Sequence, residues 1–417
     1  MIKDHIIYAT FCDWKFNIKR AEGSYLWTET NKKLIDFTSG WNVTNLGWNH
    51  PEVNEAVAKQ AKKNTYAAMW MEDEIQKQYA EELTNSLPKK LGYVLRTTGG
   101  TDANEKAMLV ARTVTKRKNI IGFLDTYHGH SFGTISIGYR PEYTNDVSPV
   151  VPKFIKLKFP KSSSNANNDE KILKQFAANL EKALRNEDVA AVVTEAGIIT
   201  GWGSTYIAPK GYLKTVRDLT EKYGTLLILD EVGTGFSRCG KLFGMDFENI
   251  IPDMATFAKG ISNGAASISA VAVSTDFDKS ILSAAKTHST FGWTSVSCAA
   301  ALKTLQIHKR DWVWKKSAKD GNYLLSQLKK LLINHPKVAE VQGLGMEIGL
   351  TFVKDKKTLA PDDVFANKVI NKAYDKGLHL VLGGDDNIQI MPPLTIDRKT
   401  LNKGIDILLE SIKHESK

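Results

Sequence analysis

The stretch TLLILDEV, over residues 225–232, is an apolar run that closes in Asp230 and Glu231. About one βα unit further along the chain, residues 256–260 read TFAKG and contain Lys259. A short continuous apolar run bounded by polar residues is typical of a strand buried in a parallel sheet. The sequence therefore predicts an acid at the end of a buried strand and a lysine on a following turn.

An acid and a lysine in this order are what pyridoxal phosphate (PLP) chemistry needs. The lysine amine condenses with the cofactor aldehyde, and the carboxylate keeps the pyridine nitrogen protonated so that the ring accepts electrons. Taken singly, each residue has another interpretation. An acid after such a strand also holds the metal in nucleotide-hydrolysing folds. Lys259 is one of 56 Lys and Arg residues, and most lysines are solvated surface charges.

Composition bounds the class of protein. The 417 residues favour roughly two to three domains, and 42% hydrophobic with 24% charged residues is typical of a soluble globular protein. No stretch approaches the ~18 apolar residues of a membrane span, and the N-terminus lacks the features of a signal peptide. Cys12, Cys239 and Cys298 are far apart, as expected for intracellular thiols. We expect a cytoplasmic protein with no membrane partner.

The net charge of +10 raises the question of a nucleic-acid partner. The basic residues are mostly lysines scattered among acids, with no dense block, so a solvated basic surface is the better interpretation. An anionic cofactor or substrate would also be attracted by this field. We therefore expect no nucleic-acid partner.

Strands and helices alternate through the first two thirds of the chain, which predicts an α/β fold on a mostly parallel sheet. Apolar strands are predicted over residues 93–96, 120–123, 189–194, 225–229 and 268–273. The polar run 161–169 is predicted to be a surface loop. After about residue 297 a long helical stretch and short strands indicate a smaller α+β domain. We expect an N-terminal segment over 1–55 that packs with this small domain, a large cofactor-binding domain over 56–297, and the small domain over 298–417.

A phosphate cup is predicted where residues 97–105, TTGGTDANE, join a strand to a helix. Gly99 and Gly100 allow a tight bend, the helix start presents free N–H groups, and Thr101 adds a hydroxyl. Taken alone, an ordinary strand-to-helix turn is the better interpretation. The run is neither a dinucleotide-binding GxGxxG pattern nor a P-loop.

An aromatic residue follows the next predicted strand, in the run DTYHGH over residues 125–130. Tyr127 just beyond a strand end can lie flat on a cofactor ring. The spacing of His128 and His130 could instead suggest a metal site. No carboxylate or cysteine stands at ligand spacing, so we expect no metal.

The order of these motifs resembles the class III aminotransferases, a group of fold type I PLP enzymes. The resemblance covers nearly the whole chain, including residues 23–27 (GSYLW), 45–51 (NLGWNHP), 229–238 (LDEVGTGFSR) and 391–394 (MPPL). It implies a fold type I transferase with a large domain on a mostly parallel sheet and a smaller C-terminal domain. It also implies a homodimer with both active sites at the interface.

The resemblance assigns roles to residues of the first cofactor motifs. Gly100 and Thr101 would bind the phosphate. Tyr127 would stack on the ring, with His128 as its neighbour.

The resemblance also assigns roles further along the chain. Asp230 would pair with the pyridine nitrogen, and Val232 would pack on the other face of the ring. Lys259 would form the internal aldimine and then move the proton between Cα and C4′. Thr290 would reach the phosphate of the other subunit, and Glu195 would help to frame the pocket.

The chain departs from the family at positions that concern the substrate. His130 and Gln389 stand where many relatives carry carboxylate-binding arginines, and Thr200 stands where many carry a glutamate. Gly233 replaces a common glutamine, and residues 293–295 (WTS) replace an Asn-Pro pair. Arginine binds a carboxylate bidentately, which a neutral side chain cannot do. We therefore expect a neutral or cationic donor, such as an ω-amine or a diamine.

Other residues are candidates for contact with the substrate. Arg140 or Arg238 could supply the cation that the keto-acid acceptor needs, although Arg140 could equally be an exposed loop residue and Arg238 a structural one. Trp41, Trp70 and Trp293 could line the substrate channel, but large aromatic side chains more often serve packing.

The leading prediction is an aminotransferase that works by a ping-pong cycle between an amine donor and a 2-oxo acid. The alternative is an amino-acid racemase or aminomutase on the same fold, which would share every cofactor residue. A pseudo-enzyme or binding protein is less consistent with Lys259, Asp230 and the phosphate cup occurring together. A nicotinamide-dependent dehydrogenase is disfavoured because the GxGxxG pattern is missing.

Overall fold

The computed structural model describes residues 5–7, 16–139, 144–163, 166–201, 205–384 and 387–416. The helices are α1 (Ser39–Asn42), α2 (Pro51–Lys63), α3 (Glu74–Asn85), α4 (Gly100–Thr115), α5 (Phe132–Gly138), α6 (Ala166–Leu184), α7 (Tyr212–Lys222), α8 (Lys279–Ala284), α9 (Ser295–Arg310), α10 (Val313–Leu332), α11 (Asp363–Asp375) and α12 (Arg398–Glu415). None of the described helices is long and apolar enough to cross a lipid bilayer.

The strands in the described part of the chain form three larger sheets and one short hairpin. They are β1 (Ile18–Glu22), β2 (Tyr25–Thr28), β3 (Lys33–Asp36), β4 (Tyr93–Thr97), β5 (Asn119–Leu124), β6 (Phe154–Lys158), β7 (Val189–Glu195), β8 (Ile198–Ile199), β9 (Tyr206–Ile207), β10 (Leu226–Asp230), β11 (Met254–Phe257), β12 (Ser269–Val273), β13 (Val338–Leu344), β14 (Glu347–Phe352), β15 (Leu378–His379), β16 (Val381–Gly383) and β17 (Asn387–Ile390).

The central sheet has seven strands in the order β4-β12-β11-β10-β7-β5-β6. Its strands run parallel except β12, which is antiparallel to both of its neighbours. Every residue of β7 is buried, as expected for a strand covered on both faces. The prediction of a mostly parallel sheet is confirmed. The carboxyl ends of the parallel strands meet at one edge, and the polar residues after them converge there.

The two smaller sheets join distant parts of the chain. β15 pairs with β3 in the sheet β1-β2-β3-β15, and β13-β14-β17-β16 form the other. The hydroxyls of Tyr25 and Thr400 also lie 2.8 Å apart, although 375 residues separate them. One hydrophobic core accordingly combines Ile35 and Phe37 with C-terminal residues such as Leu401. This core joins residues from the two ends of the chain. The N-terminal segment over 1–55 and the domain boundaries at 55/56 and 297/298 stay predictions.

The structure corrects several details. The helical stretch predicted after Cys298 is two helices, because Trp312 adopts a left-handed backbone with φ of 51° between α9 and α10. The predicted loop 161–169 ends early, since α6 begins at Ala166. Polar residues in a first helical turn have the composition of a loop, which explains the error. Cys239 and Cys298 are buried free thiols, whereas Cys12 lies outside the described residues.

Candidate active site

A cavity of about 400 Å³ lies at the edge where the parallel strands end. Its walls come from the turns after β4, β5, β10 and β11, from α1's C-terminal side and from the segment before β12. The lining residues are Val43, Thr98, Gly99, Gly100, Thr101, Asn104, Tyr127, His128, Asp230, Val232, Ala258, Lys259, Ser262, Gly264, Ala266, Ser267 and Ile268. Seven of the nine residues to which the resemblance assigns cofactor roles are therefore brought together here.

Lys259 stands two residues after β11 and starts a short 3₁₀ helix that ends at Ser262. Its backbone has φ of 46°, in the left-handed region that a residue with a side chain rarely adopts. Strain of this kind persists where the surrounding fold holds it in place, and it concentrates at functional sites. The lysine is half-buried and its side chain lines the cavity.

Asp230 ends β10 and is 2% exposed. Its Oδ2 atom accepts hydrogen bonds from Asn104 Nδ2 at 2.8 Å and from His128 Nδ1 at 2.7 Å, and its Oδ1 atom accepts from the backbone N–H of Val232 at 2.9 Å. The Oδ1 atom of Asn104 in turn accepts from the Thr256 hydroxyl at 2.8 Å. Three donors thus hold a buried carboxylate in one orientation at the cavity wall.

His128 is buried beside Asp230, and burial and the charge of Asp230 act in opposite directions on the pKa of His128. Burial disfavours the imidazolium, but the hydrogen bond to Asp230 and its negative charge outweigh burial and raise the pKa of His128. The backbone carbonyl of His128 accepts from Asn104 Nδ2 at 3.0 Å, which fixes the segment that carries Tyr127. The His128 Nε2 atom is buried without a hydrogen-bond partner among the described residues.

The N-terminus of α4 forms the predicted anion cup. Gly99 precedes the helix and supplies no side-chain cap, so the first-turn N–H groups and the positive end of the helix dipole face the cavity. A Cβ on Gly100 would lie 3.1 Å from Val232 Cγ1, so a larger residue would crowd this wall. The acid of the first turn, Asp102, is engaged elsewhere: it accepts from the Thr98 N–H and pairs with Lys106 at 3.2 Å.

Tyr127 is held from two sides. Its hydroxyl lies 2.9 Å from Nδ1 of His130, and the two rings meet edge to face. On the other side, a Cβ on Gly201 would lie 2.4 Å from the Tyr127 Cβ, so the backbone approaches the tyrosine closely. The side chain at position 130 therefore orients an aromatic wall of the cavity.

Glu195 ends β7 and is the direct strand partner of Asp230. Its Oε2 atom accepts from the backbone N–H and the hydroxyl of Thr200, both at 2.8 Å. Burial and the charge of Asp230 raise the pKa of Glu195. A Cβ on Gly233 would lie 1.7 Å from Thr200 Oγ1, so Thr200 fills the space that a side chain at 233 would need.

The remaining predicted residues do not line this cavity. Gln389 is fully buried, and its Nε2 atom donates to the Thr200 carbonyl at 3.2 Å and to Glu347 Oε1 at 3.3 Å. Trp41 is half-buried, Trp70 is 80% exposed and Thr290 is exposed. Arg140 lies outside the described residues.

Arg238 and Trp293 make their contacts inside the fold and not at the cavity. The fully buried guanidinium of Arg238 donates to the carbonyls of Met346 and Pro392 and to the side chains of Ser39 and Asn45.

These contacts join the turn after β10 to the N-terminal and C-terminal segments, and they leave Arg238 away from the cavity wall. The indole N–H of Trp293 donates to the Ser269 carbonyl at 2.7 Å, and its ring contacts Tyr79 in the core.

Sequence reasoning missed two residues. Asn104 lies four positions after Gly100, so both face the cavity from one side of α4, and that spacing was the available signal. Glu347 is a fully buried carboxylate at the start of β14, in a run that gave no sign of its burial.

Comparison with known proteins identifies the family. The profile described as aminotransferase class III matches residues 10–412, so the chain belongs to the class III aminotransferases. It is 31% identical over 391 residues to an acetylornithine aminotransferase of Streptococcus mutans, covering 94% of each chain. It is 29% identical over 404 residues to a 5-aminovalerate aminotransferase of Pseudomonas aeruginosa, covering 94% of this chain and 92% of that protein.

Solved structures agree. An (S)-enantioselective ω-transaminase from Thermomicrobium roseum superposes with a TM-score of 0.88 at 30% identity, over 97% of this chain and 93% of that one. A taurine:2-oxoglutarate aminotransferase from Bifidobacterium kashiwanohense, in complex with PLP and glutamate, gives 0.90 at 28% identity, over 96% and 93%. The predictions of the family, of the fold type I architecture, of an aminotransferase and of PLP as cofactor are confirmed.

The residues of the cavity fit this cofactor. The uncapped start of α4 suits a phosphate, and the glycine at position 100 leaves space beside Val232. A fixed carboxylate at Asp230 suits a protonated ring nitrogen, and Lys259 supplies the amine. No cluster of metal-binding side chains occurs in the described parts of the chain.

Proposed function

We propose that this aminotransferase takes an amino group from a donor without an α-carboxylate, such as an ω-amine or a diamine, and passes it to a 2-oxo acid in a ping-pong cycle. One observation supports this choice of donor above others. Gln389 and Thr200, which stand where many relatives have an ionic pair, are both neutral and buried against the carboxylates Glu347 and Glu195. No arginine lines the cavity among the described residues.

PLP, when bound, supplies a carbonyl carbon that takes up the amino group and a ring that accepts electrons. The start of α4, with Gly100 and Thr101, would hold the phosphate. Tyr127 and Val232 would flank the ring. The positions of these residues on the cavity wall support the proposed roles.

Asp230 would hold the ring nitrogen in its protonated form. Its carboxylate faces the cavity with both oxygens fixed by donors, so its negative charge is placed before the cofactor arrives. His128 and Asn104 would act through Asp230, because they contact the carboxylate rather than the ring.

Lys259 would carry the proton transfer. Its amine would accept the proton of the donor carbon that bears the amino group and hold it inside the cavity. The left-handed backbone at Lys259 fixes where its side chain begins and so limits the space the amine can reach.

A homodimer is part of the proposal. Three large apolar side chains are exposed to solvent: Trp70 by 80%, Phe291 by 66% and Tyr66 by 42%. The ring centroids of Tyr66 and Phe291 lie 6.1 Å apart. Exposed apolar groups of this size are typical of interfaces. Thr290, next to Phe291, is exposed and away from its own chain's cavity, as a residue that serves the neighbouring subunit would be.

A half-reaction screen tests the donor. The yellow holoenzyme is mixed with single amines, without acceptor, and the visible cofactor band is followed. We expect ω-amines or diamines to bleach the band and glutamate not to. Rapid bleaching by glutamate would show that the carboxylate finds a cation elsewhere, and the donor assignment would be wrong.

Two further measurements test the reaction class. Replacing Lys259 with Ala should abolish turnover and the visible absorbance of lysine-bound cofactor, and turnover at the wild-type rate would contradict the whole assignment. Net conversion of a 2-oxo acid separates an aminotransferase from a racemase or aminomutase, which would interconvert the donor without consuming it.

A further inference from the structure

Glu347 is a buried carboxylate without a cationic partner. It begins β14 and is 0% exposed, and it makes no ion pair within the described residues. Its hydrogen bonds come from neutral groups: Asn42 Nδ2 at 2.7 Å, Gln389 Nε2 at 3.3 Å and the Thr205 hydroxyl at 3.4 Å. A buried carboxylate without a counter-charge is costly, so its presence needs a reason.

The side chains around Glu347 offer further unused acceptors. Asn42 Oδ1 and Gln389 Oε1 are both buried and accept no hydrogen bond from the described residues. Each belongs to a residue that is at most 1% exposed. Buried polar atoms in folded proteins are nearly always paired, so two unpaired acceptors on side chains that contact one carboxylate point to a missing donor.

This group, which we call the acceptor cluster (Asn42, Gln389 and Glu347), is connected by hydrogen bonds to residues beside the catalytic cavity. Gln389 donates to the carbonyl of Thr200, and Thr200 donates to Glu195, the strand partner of Asp230.

Two more observations place the cluster beside the cavity. Asn42 immediately precedes Val43, which lines the cavity. Burial raises the pKa of Glu347 to about 7, and the charges of Arg238 and then Lys259 act in the opposite direction, so Glu347 lies within electrostatic reach of the catalytic lysine.

We propose that the acceptor cluster binds the distal ammonium group of an α,ω-diamine donor while the other amino group lies beside Lys259, at the reacting end of the cavity. An ammonium group carries three donors and a positive charge, which would satisfy the two free acceptors and pair with Glu347. The inference rests on the proposed aminotransferase function and specifies its donor.

A structural role for Glu347 is the competing explanation. Arg238 is also buried, and Glu347 could compensate its charge at a distance. However, the two side chains form no ion pair, and the guanidinium donates to Met346, Pro392, Ser39 and Asn45 instead. If Glu347 had only a structural role, it would not affect the preference of the enzyme for diamine over monoamine donors. Measuring this preference therefore separates the two explanations.

The first experiment uses the wild-type holoenzyme. The values of kcat/KM for 1,5-diaminopentane and 1,4-diaminobutane are compared with those for 1-aminopentane and 1-aminobutane, with one fixed 2-oxo acid. We expect the diamines to be favoured about 10- to 100-fold, the effect of hydrogen bonds to one buried charge. If a monoamine of equal length serves as well, the inference is wrong and the aminotransferase proposal still stands. If no amine reacts, the proposed function fails first.

The second experiment changes the carboxylate. Glu347→Gln keeps the shape and removes the charge, and we expect the diamine-to-monoamine ratio of kcat/KM to fall about 10- to 100-fold. Glu231→Gln is the matched control. Glu231 is also fully buried, burial raises its pKa to about 7, and it accepts from the N–H groups of Gly244 and Met245.

The control should keep the wild-type ratio, since Glu231 lies outside the acceptor cluster. An unchanged ratio in Glu347→Gln, or an equal fall in both variants, would overturn the inference. If Glu347→Gln does not fold, the wild-type comparison alone decides.

Discussion

His128 Nδ1 lies 2.7 Å from Asp230 Oδ2, and both side chains are excluded from solvent. The contact places a titratable imidazole against the carboxylate that we assign to the cofactor nitrogen. The protonation of His128 therefore affects both the stability of the fold and the charge of Asp230's surroundings.

The first prediction concerns pH and the stability of the apoprotein. Because Asp230 raises the pKa of His128 above 6.5, the folded state binds this proton more tightly than the unfolded chain. The stabilisation is therefore fully present below about pH 6.5 and is lost as pH rises through the folded pKa. The wild-type advantage over His128→Asn in urea unfolding should shrink with increasing pH.

The exposed His414, replaced by Asn in the same way, controls for the loss of a histidine as such. An advantage of the wild type over His128→Asn that grows with pH would contradict the predicted direction.

The second prediction concerns Asn104. Asn104→Leu removes one of the three donors to Asp230 and the donor to the His128 carbonyl, and it leaves the buried Thr256 hydroxyl without its acceptor. We expect a loss of about 1–3 kcal/mol in the free energy of unfolding of the apoprotein. Because Asp230 would be held less firmly, we also expect faster loss of cofactor from the holoenzyme, measured by its visible absorbance.

Gln76→Leu is the control for Asn104→Leu. Gln76 is a buried amide that donates to the Trp293 carbonyl, remote from Asp230. It should lower stability and leave cofactor retention unaffected. Equal cofactor retention in both variants would mean that Asn104 serves the fold alone.

The third prediction concerns Arg238. Arg238→Lys keeps the charge, but an ammonium cannot reach the four acceptors that the planar guanidinium spans. We expect a loss of about 1.5–3 kcal/mol for each hydrogen bond that the charged group no longer makes, measured by urea unfolding.

Arg310→Lys is the matched exposed change. Arg310 pairs with Glu52 and Asp311 at the surface, where solvent screens such pairs and they contribute little to stability. Comparable losses from both substitutions would refute the structural role of Arg238.

The fourth prediction concerns the contact between Thr200 and Gly233. Gly233→Ala places a methyl group on the Thr200 hydroxyl, and we expect a loss of about 1–3 kcal/mol from overpacking. In Thr200→Ala/Gly233→Ala the loss should be smaller than the sum of the two single changes, because they share this contact. Unfolding free energies of the four proteins form the cycle, and simple additivity would rule out the contact.

The central strands and the cavity residues were predictable from the sequence for one physical reason. Continuous apolar runs identify strands of a parallel sheet, and the polar residues after them meet at one edge. Asp230, Lys259, Gly100 and Tyr127 all stand at such positions.

The environment of Glu347 was not predictable in this way. Its partners Asn42 and Gln389 come from α1 and β17, far apart in the chain, and only the assembled fold shows that no cation accompanies them. The left-handed turn at Trp312 was missed for a related reason, since nothing in the local pattern marks a break between α9 and α10. Contacts of this kind depend on tertiary packing, which periodicity does not encode.

The pairing of β3 with β15, together with the contact of Tyr25 with Thr400, has a consequence for biosynthesis. A ribosome releases β3 long before β15, because 342 positions separate Asp36 at the end of β3 from Leu378 at the start of β15. The edge of β3 is thus open while this length of chain is made, and an open strand edge invites pairing with other chains. A nascent chain that stalls before β15 emerges should therefore depend on chaperones that cover β1, β2 and β3.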